Sequence, residues 1–295
     1  MKRRSFLMAM AAAAATPLFA QDKARPALTL WQLPNQTTTQ MMSYILLCDD
    51  DSLIVVDGGM PGDAAYLLEM IRQIHPDGHV NAWYLSHPHL DHFGALSELL
   101  QHEETRSQLT IDKLYYNFPE RAWFDNYSSE GEVKEIEFWE QCYEWLPEHE
   151  VPVPGQKLSY GSVTIEALNE YDPDNRQNVV NNATIVYRVE TPNTSILFLG
   201  DLGVEGGERV LKLVPEEKIK ADYVQMAHHG QRGVNEEFYR HVRPRVCLWP
   251  TPDWLWTNAD GNGHYDTLNV RAWMEKLGVK ENYVIKDGLH KFELN

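Results

Sequence analysis

"SHPHLDHFGAL", residues 86–96, sets His87, His89, Asp91 and His92 in the pattern H-x-H-x-D-H. At this composition a chance match is expected in about one chain in a thousand. "NAWYLS" (81–86) before it reads as a short buried strand, and "GALSELLQ" (94–101) after it resumes a helical period. Four ligand-type side chains therefore fall in a strand-to-helix loop, where α/β sheets keep their chemistry. In extended backbone His87 and His89 point to one side and can hold one cation, while Asp91 and His92, just beyond, can turn toward a second. Imidazole with carboxylate suits Zn2+, one ion or two, with Mn2+ or iron as alternatives; an all-oxygen set would favour Mg2+ or Ca2+. The plain alternative is a solvent-facing His-rich loop, which leaves the motifs farther along unexplained.

Outward from that loop, "ALTLWQLP" (27–34) and "MMSYILLCDDDSLIVVDGG" (41–59) read as strands broken by the acidic turn Asp49–Asp51. Leu67, Met70, Ile71 and Ile74 then share a helical face, with Asp63 as the expected cap. Residues 111–118 read as a strand, and 134–146 as an amphipathic helix on Ile136, Trp139, Tyr143 and Leu146. "KLSYGSVTIEAL" (157–168), "NATIVYRVE" (182–190) and "SILFLGD" (195–201) open a second set of strands. "DYVQMAHHG" (222–230), a helix over 235–241, "RVCLWP" (245–250), a helix over 268–277 and "YVIKDGLHKFEL" (283–294) complete it. Two sheet-plus-helix halves in succession predict an α/β fold with four αββα layers, two sheets face to face and helices on both outer faces.

The first twenty residues have the shape of an export leader: Arg3-Arg4 before Ser5-Phe6-Leu7, a short alanine-rich apolar stretch and a cut after Ala20. This predicts a twin-arginine signal over 1–20, one domain over 21–295 and a periplasmic or secreted protein; an uncleaved or lipid-anchored N-terminus is the alternative. No transmembrane segment is expected after the leader. The formal charge is −17, and removing Lys2, Arg3 and Arg4 with the leader takes it to −20. Such a surface repels phosphate backbones, which disfavours nucleic acid and points to a small-molecule substrate. Three scattered cysteines, Cys48, Cys142 and Cys247, make neither a disulfide framework nor a thiolate metal site, although one pair after export stays open. Composition says nothing of the oligomeric state.

"DGG" (57–59), "HPHLDH" (87–92), "FLGD" (198–201) and "AHHG" (227–230) follow one another in the order and strand context of the metallo-β-lactamase fold, and from about residue 28 onward the chain resembles that superfamily. Its "AHHG" and the "NNAT" at Asn181 make it most similar to the branch holding the hydrolase domain of competence channels and the phosphorylcholine esterases. The resemblance implies that Asp201 bridges two metals and that His228 or His229 adds a ligand. It places His264, in "NGHYDTLNV", near the site, with an ordinary surface histidine as the alternative. One departure stands out: where two-zinc members carry a further histidine, this chain has Asn181 or Asn182, a weak zinc ligand able to hydrogen-bond a substrate. His102 and His149 lie in that interval and read as surface residues.

The implied chemistry is hydrolysis by a metal-bound hydroxide. Asp91 is expected to orient it, and whichever of His228 and His229 is not a ligand, His229 being the working choice, to serve the transition-state oxygens. The branch implies a small phosphodiester or phosphoester. An acidic, tryptophan-rich chain also suits an ester with a cationic head, with Trp254 and Trp256 of "PTPDWLW" as its wall; the alternative is that both tryptophans simply build core. A lactone- or lactam-cleaving enzyme of the same fold and a non-catalytic metal-binding module are the rival readings.

Overall fold

The structure, a computed structural model, describes residues 25–258 and 265–295; the expected leader and His264 lie outside them. Two seven-stranded sheets form its centre. The first contains β1 (Leu28–Gln32), β2 (Ser43–Cys48), β3 (Leu53–Asp57), β4 (Ala82–Tyr84), β5 (Leu114–Tyr115) and β6 (His149–Glu150). The second contains β7 (Lys157–Tyr160), β8 (Val163–Ala167), β9 (Tyr187–Glu190), β10 (Ser195–Phe198), β11 (Tyr223–Gln225), β12 (Val246–Trp249) and β13 (Glu281–Val284). The last strand, β14 (His290–Leu294), returns to the first sheet and pairs antiparallel with β1, Leu28 opposite Leu294, so the chain's two ends close one sheet. Each sheet begins antiparallel and turns parallel: β3, β4, β5 and β6 run together, as do β10, β11, β12 and β13.

Strand periodicity explains the four layers. Successive residues face opposite sides, so a strand covered on both sides must be apolar throughout. In β3, Ile54 and Val56 face the space between the sheets, while Leu53 and Val55 face outward. In β12, Val246 and Leu248 face inward, and Cys247 and Trp249 outward. On the first sheet's outer face pack α1 (Ala64–Ile74), α2 (Leu90–Gln101), α3 (Arg121–Tyr127) and α4 (Glu130–Glu140). On the second sheet's outer face pack α5 (Val204–Leu213), α6 (Glu236–Val242) and α7 (Thr267–Lys276). This is the expected αββα sandwich. The three cysteines are buried and free.

Local expectations were corrected in three places. The strand read over 111–118 shrinks to Thr110–Ile111 and Leu114–Tyr115. The helix read over 134–146 starts at Glu130, where a Ser129/Glu132 capping box sets its first turn, and stops at Glu140; Tyr143 is then 52% exposed in a 3-10 turn. Asp63 does not cap α1 with its side chain. It is buried, and its oxygens accept from Gln36 N (2.7 Å) and Met60 N (3.0 Å), pinning the loop that delivers Gln40 to the site.

Candidate metal centre

The HxHxDH loop follows β4, Asp57 ends β3, Asp201 follows β10 and the 227–230 turn follows β11. All four are carboxyl ends of parallel strands, where helix and loop leave a crevice. The halves approach closely there. Gly200 has φ +47°, and a Cβ on it would lie 2.8 Å from Ser86 Cβ and 2.9 Å from Thr184 Cγ2. Only glycine meets both the backbone and the space.

Asp57 carries the lower layer. Its Oδ1 accepts from Ser86 N (2.7 Å), and its Oδ2 from Ser86 Oγ (2.9 Å) and His92 Nδ1 (2.9 Å). His92 thus presents Nε2 upward. His229 donates Nδ1–H to Pro250 O (2.8 Å) and likewise presents Nε2. Asp91 Oδ2 lies 2.9 Å from both Gln40 Nε2 and His229 Nε2. His87 Nε2 and His89 Nδ1 meet at 2.9 Å. Asp201, 1% exposed, stands at the centre, with His92 Nε2 at 3.2 Å from Oδ1, and His229 Nε2 at 3.7 Å and His87 Nε2 at 3.9 Å from Oδ2.

The turn that brings His229 in is strained. His228 (φ 50°), His229 (φ 54°) and Gly230 (φ 77°) are three left-handed residues in a row. His228 N–Gly200 O (3.0 Å) and Thr251 Oγ1–His229 O (2.6 Å) hold them there. Strain of this kind persists only where the surroundings over-determine it.

The residues fit a cation. Among the described residues, two groups have ligand atoms mutually within 4.8 Å: Asp91, His92, Asp201 and His229, and His87, His89 and Asp201, so that Asp201 is shared. His92 Nε2, His229 Nε2 and Asp201 Oδ1 are buried with no aligned hydrogen-bond partner among the described residues, which is costly unless something else satisfies them. Nitrogen and carboxylate oxygen are the donor set of zinc and its transition-metal neighbours. Electrostatics agree. Burial alone would raise Asp201, but His92, His229 and His228 hold it well below the usual carboxylate range, and His92 and His229 do the same for Asp91. His92 and His229 stay raised despite burial, because of Asp201 and the neighbouring aspartates, whereas burial keeps His87 and His228 low.

Six of the expected residues therefore converge: His87, His89, Asp91, His92, Asp201 and His229. His228 belongs to neither ligand group; its Nε2 is 3.7 Å from Asp201 Oδ2 and its Nδ1 3.1 Å from Arg232 O. His229, the working choice for serving the reacting oxygens, has Nδ1 on Pro250 O and Nε2 inside the four-residue group, so no nitrogen remains for a substrate. Asn182 is also corrected as a substrate contact. Its Oδ1 accepts from Gly203 N and Gly206 N at the start of α5, and its Nδ2 donates to Gln177 O and Glu205 Oε2. Asn181 donates to Asn178 Oδ1 and leaves Oδ1 buried without a partner. Trp256 is not a free aromatic wall: its ring packs on Trp249, and the Arg271 guanidinium lies 4.0 Å from its centroid, so the cation it holds is the chain's own. Trp254 stacks edge-on to Tyr265 at 5.6 Å. His102 pairs with Glu98 at the surface, and His149 is exposed. The sequence reading missed Gln40, Ser86, Glu132 and Glu135, and took Asp57 only as part of a motif.

Residues 38–168 match the family model described as the Metallo-beta-lactamase superfamily. The chain is 27% identical over 170 residues to ComE operon protein 3 of Bacillus subtilis (strain 168), a stretch that is 57% of this chain and 20% of that protein. It thus spans about a fifth of that relative's length. Among solved structures, YhfI of Bacillus subtilis, a metallo-β-lactamase fold protein, superposes with a TM-score of 0.55 at 14% identity, covering 90% of this chain and 100% of its own. CmlA, a diiron β-hydroxylase from Streptomyces venezuelae, does so at 0.54 and 12% identity, covering 91% of this chain and 54% of its own. The αββα sandwich is the metallo-β-lactamase fold.

Proposed function

We propose that this chain, whose residues 38–168 match the Metallo-beta-lactamase superfamily model, is an exported metal-dependent hydrolase of small phosphodiesters or phosphoesters. The observation that carries the reading is the pair of ligand groups joined through Asp201, with buried nitrogens and an oxygen that have no aligned hydrogen-bond partner among the described residues. His87, His89 and Asp201 would hold one cation, and Asp91, His92, Asp201 and His229 the other. Bound there, divalent cations supply an acidified water and Lewis acids for the attacking and leaving oxygens of an in-line displacement.

The chain's own residues do the rest. Gln40 and Asp91, 2.9 Å apart, fix the carboxylate that orients the incoming nucleophile. Unlike its neighbour, His228 keeps a nitrogen for substrate: Nδ1 is given to Arg232 O, burial holds the ring neutral, and Nε2 faces the Asp201 side ready to take a proton. Among the described residues the first group has three members and the second four, which supports a substrate oxygen joining the first. A charge of −17 supports a small substrate over a polynucleotide, and Arg3-Arg4 ahead of the alanine-rich stretch supports export.

The test is metal-free protein reloaded separately with Zn2+, Mn2+ and Fe2+ and assayed on bis-p-nitrophenyl phosphate, a phosphorylcholine ester, a lactone and nitrocefin. Metal-dependent turnover with the highest kcat/KM on a phosphoester is expected. Preference for the lactone or nitrocefin, or no turnover in any loaded form, overturns the reading.

A further inference from the structure

We propose that α4 is a clamp on the first ligand group: Glu132 positions the His89 ring and Glu135 holds the start of α2, so that this helix sets how tightly the His87–His89–Asp201 side takes its cation. The inference rests on the metal reading above and concerns two residues that no sequence motif marks.

His89 occupies the N-cap of α2, yet its side chain makes no capping bond. A helix start needs acceptors for its first N–H groups. Glu135 Oε2 provides one from the neighbouring helix, accepting from Leu90 N at 2.8 Å. That frees the His89 imidazole. One turn earlier on α4, Glu132 Oε1 lies 3.4 Å from His89 Nε2. A ring that gives Nε2–H to a carboxylate must present Nδ1, and Nδ1 is the nitrogen that meets His87 Nε2 at 2.9 Å. Glu132 is itself fixed, because its Oε2 accepts from Ser129 N at 2.6 Å as half of the capping box that starts α4. Glu132 and Glu135, spaced i and i+3 on one helical face, therefore grip two consecutive residues, His89 through its ring and Leu90 through its backbone. The other group is oriented differently: His92 is set by buried Asp57, and His229 by Pro250 O. The two cation positions thus depend on different parts of the chain, one on the sheet interior and one on a surface helix.

The test is Co2+ titration of the metal-free full chain, read by its absorption spectrum and by bound metal after desalting, in the wild type and in Glu132→Ala, Glu132→Gln, Glu135→Ala and Ser129→Ala. The wild type takes two equivalents. Glu132→Ala weakens one of them by about 10- to 100-fold and leaves the other unchanged. Glu132→Gln restores it, because the amide oxygen still accepts from Nε2–H; its NH2 cannot accept from Ser129 N, so that half of the capping box is given up. Ser129→Ala, which damages the same capping box without touching His89, binds like the wild type, and Glu135→Ala weakens the same equivalent as Glu132→Ala. Equal binding by Glu132→Ala and wild type, equal weakening of both equivalents, or reproduction of the loss by Ser129→Ala overturns the clamp. A wild type that binds cobalt tightly but shows no phosphoester turnover refutes the proposed substrate and leaves the clamp standing.

Discussion

Asp57 Oδ2 and His92 Nδ1 are bonded at 2.9 Å beneath the ligand groups, at the point where β3 ends with Asp57 in a left-handed conformation. The same carboxylate also accepts both donors of Ser86, so one buried aspartate orients an imidazole and anchors the entry of the HxHxDH loop. Asp57→Ala is expected to weaken cation binding at the Asp91–His92–Asp201–His229 group by about 10- to 100-fold. Competition of the variant against a chromophoric zinc chelator measures this; an unchanged affinity would show that Asp57 serves the fold alone.

His228 is the residue expected to handle a proton without holding metal. His228→Gln should retain the cation content of the parent, determined by elemental analysis, while kcat falls by about 100- to 10,000-fold. The alkaline-going limb of the kcat profile governed by its deprotonation should vanish in the variant. Loss of one equivalent of metal in His228→Gln would instead make it a ligand.

Gly200→Ala tests the contact between the halves. Its φ of +47° and a would-be Cβ within 3 Å of Ser86 and Thr184 leave no relaxed solution. A loss of about 2 kcal/mol in unfolding free energy is expected, read from urea denaturation, together with weaker cation retention, since Gly200 O also holds His228 N. A stability within error of the parent would mean that Ser86 can move aside freely.

The pH dependence of the metal-free chain follows from the raised imidazoles. His92 and His229 are raised by Asp201 and its neighbours against the effect of burial, and His89 is raised by Glu132. A raised group contributes stability that is complete below its unfolded value of about 6.5 and disappears as pH climbs through the folded value. His87 and His228, held low by burial, are neutral in both states above that point and add no slope. Asp91 and Asp201 are depressed, so their share is present above about 3.9 and is lost on further acidification. In EDTA the Tm should therefore decline from pH 6.5 toward pH 9, and zinc should flatten that decline because a cation replaces the protons. Parallel curves with and without zinc would contradict this.

The layered fold was legible because β3, β10 and β12 are apolar on both faces, a pattern that little else produces. The centre was legible where its residues are sequence neighbours: His87, His89, Asp91 and His92 lie within six positions. Choosing between His228 and His229 required φ and ψ, since two adjacent histidines in left-handed backbone point in directions that no strand or helix period foretells. Asn182 looked like a substrate contact because its partners, Gly203 and Gly206, are backbone groups invisible to side-chain motifs. Trp256 misled for a similar reason: the cation above its ring comes from Arg271, a turn into α7. Glu132 lies ahead of the helix read over 134–146, and only the packing of α4 against α2 gives it His89.

Asp57, His87, His89, Asp91 and His92 come from the chain's first third, and Asp201 and His229 from its last, with the surface segment 172–177 between them. A bound ion is therefore a rivet through both halves. Two polypeptides made by cutting within that segment would carry complementary parts of one coordination sphere, and their reassembly would strengthen with zinc concentration and fall apart on chelation.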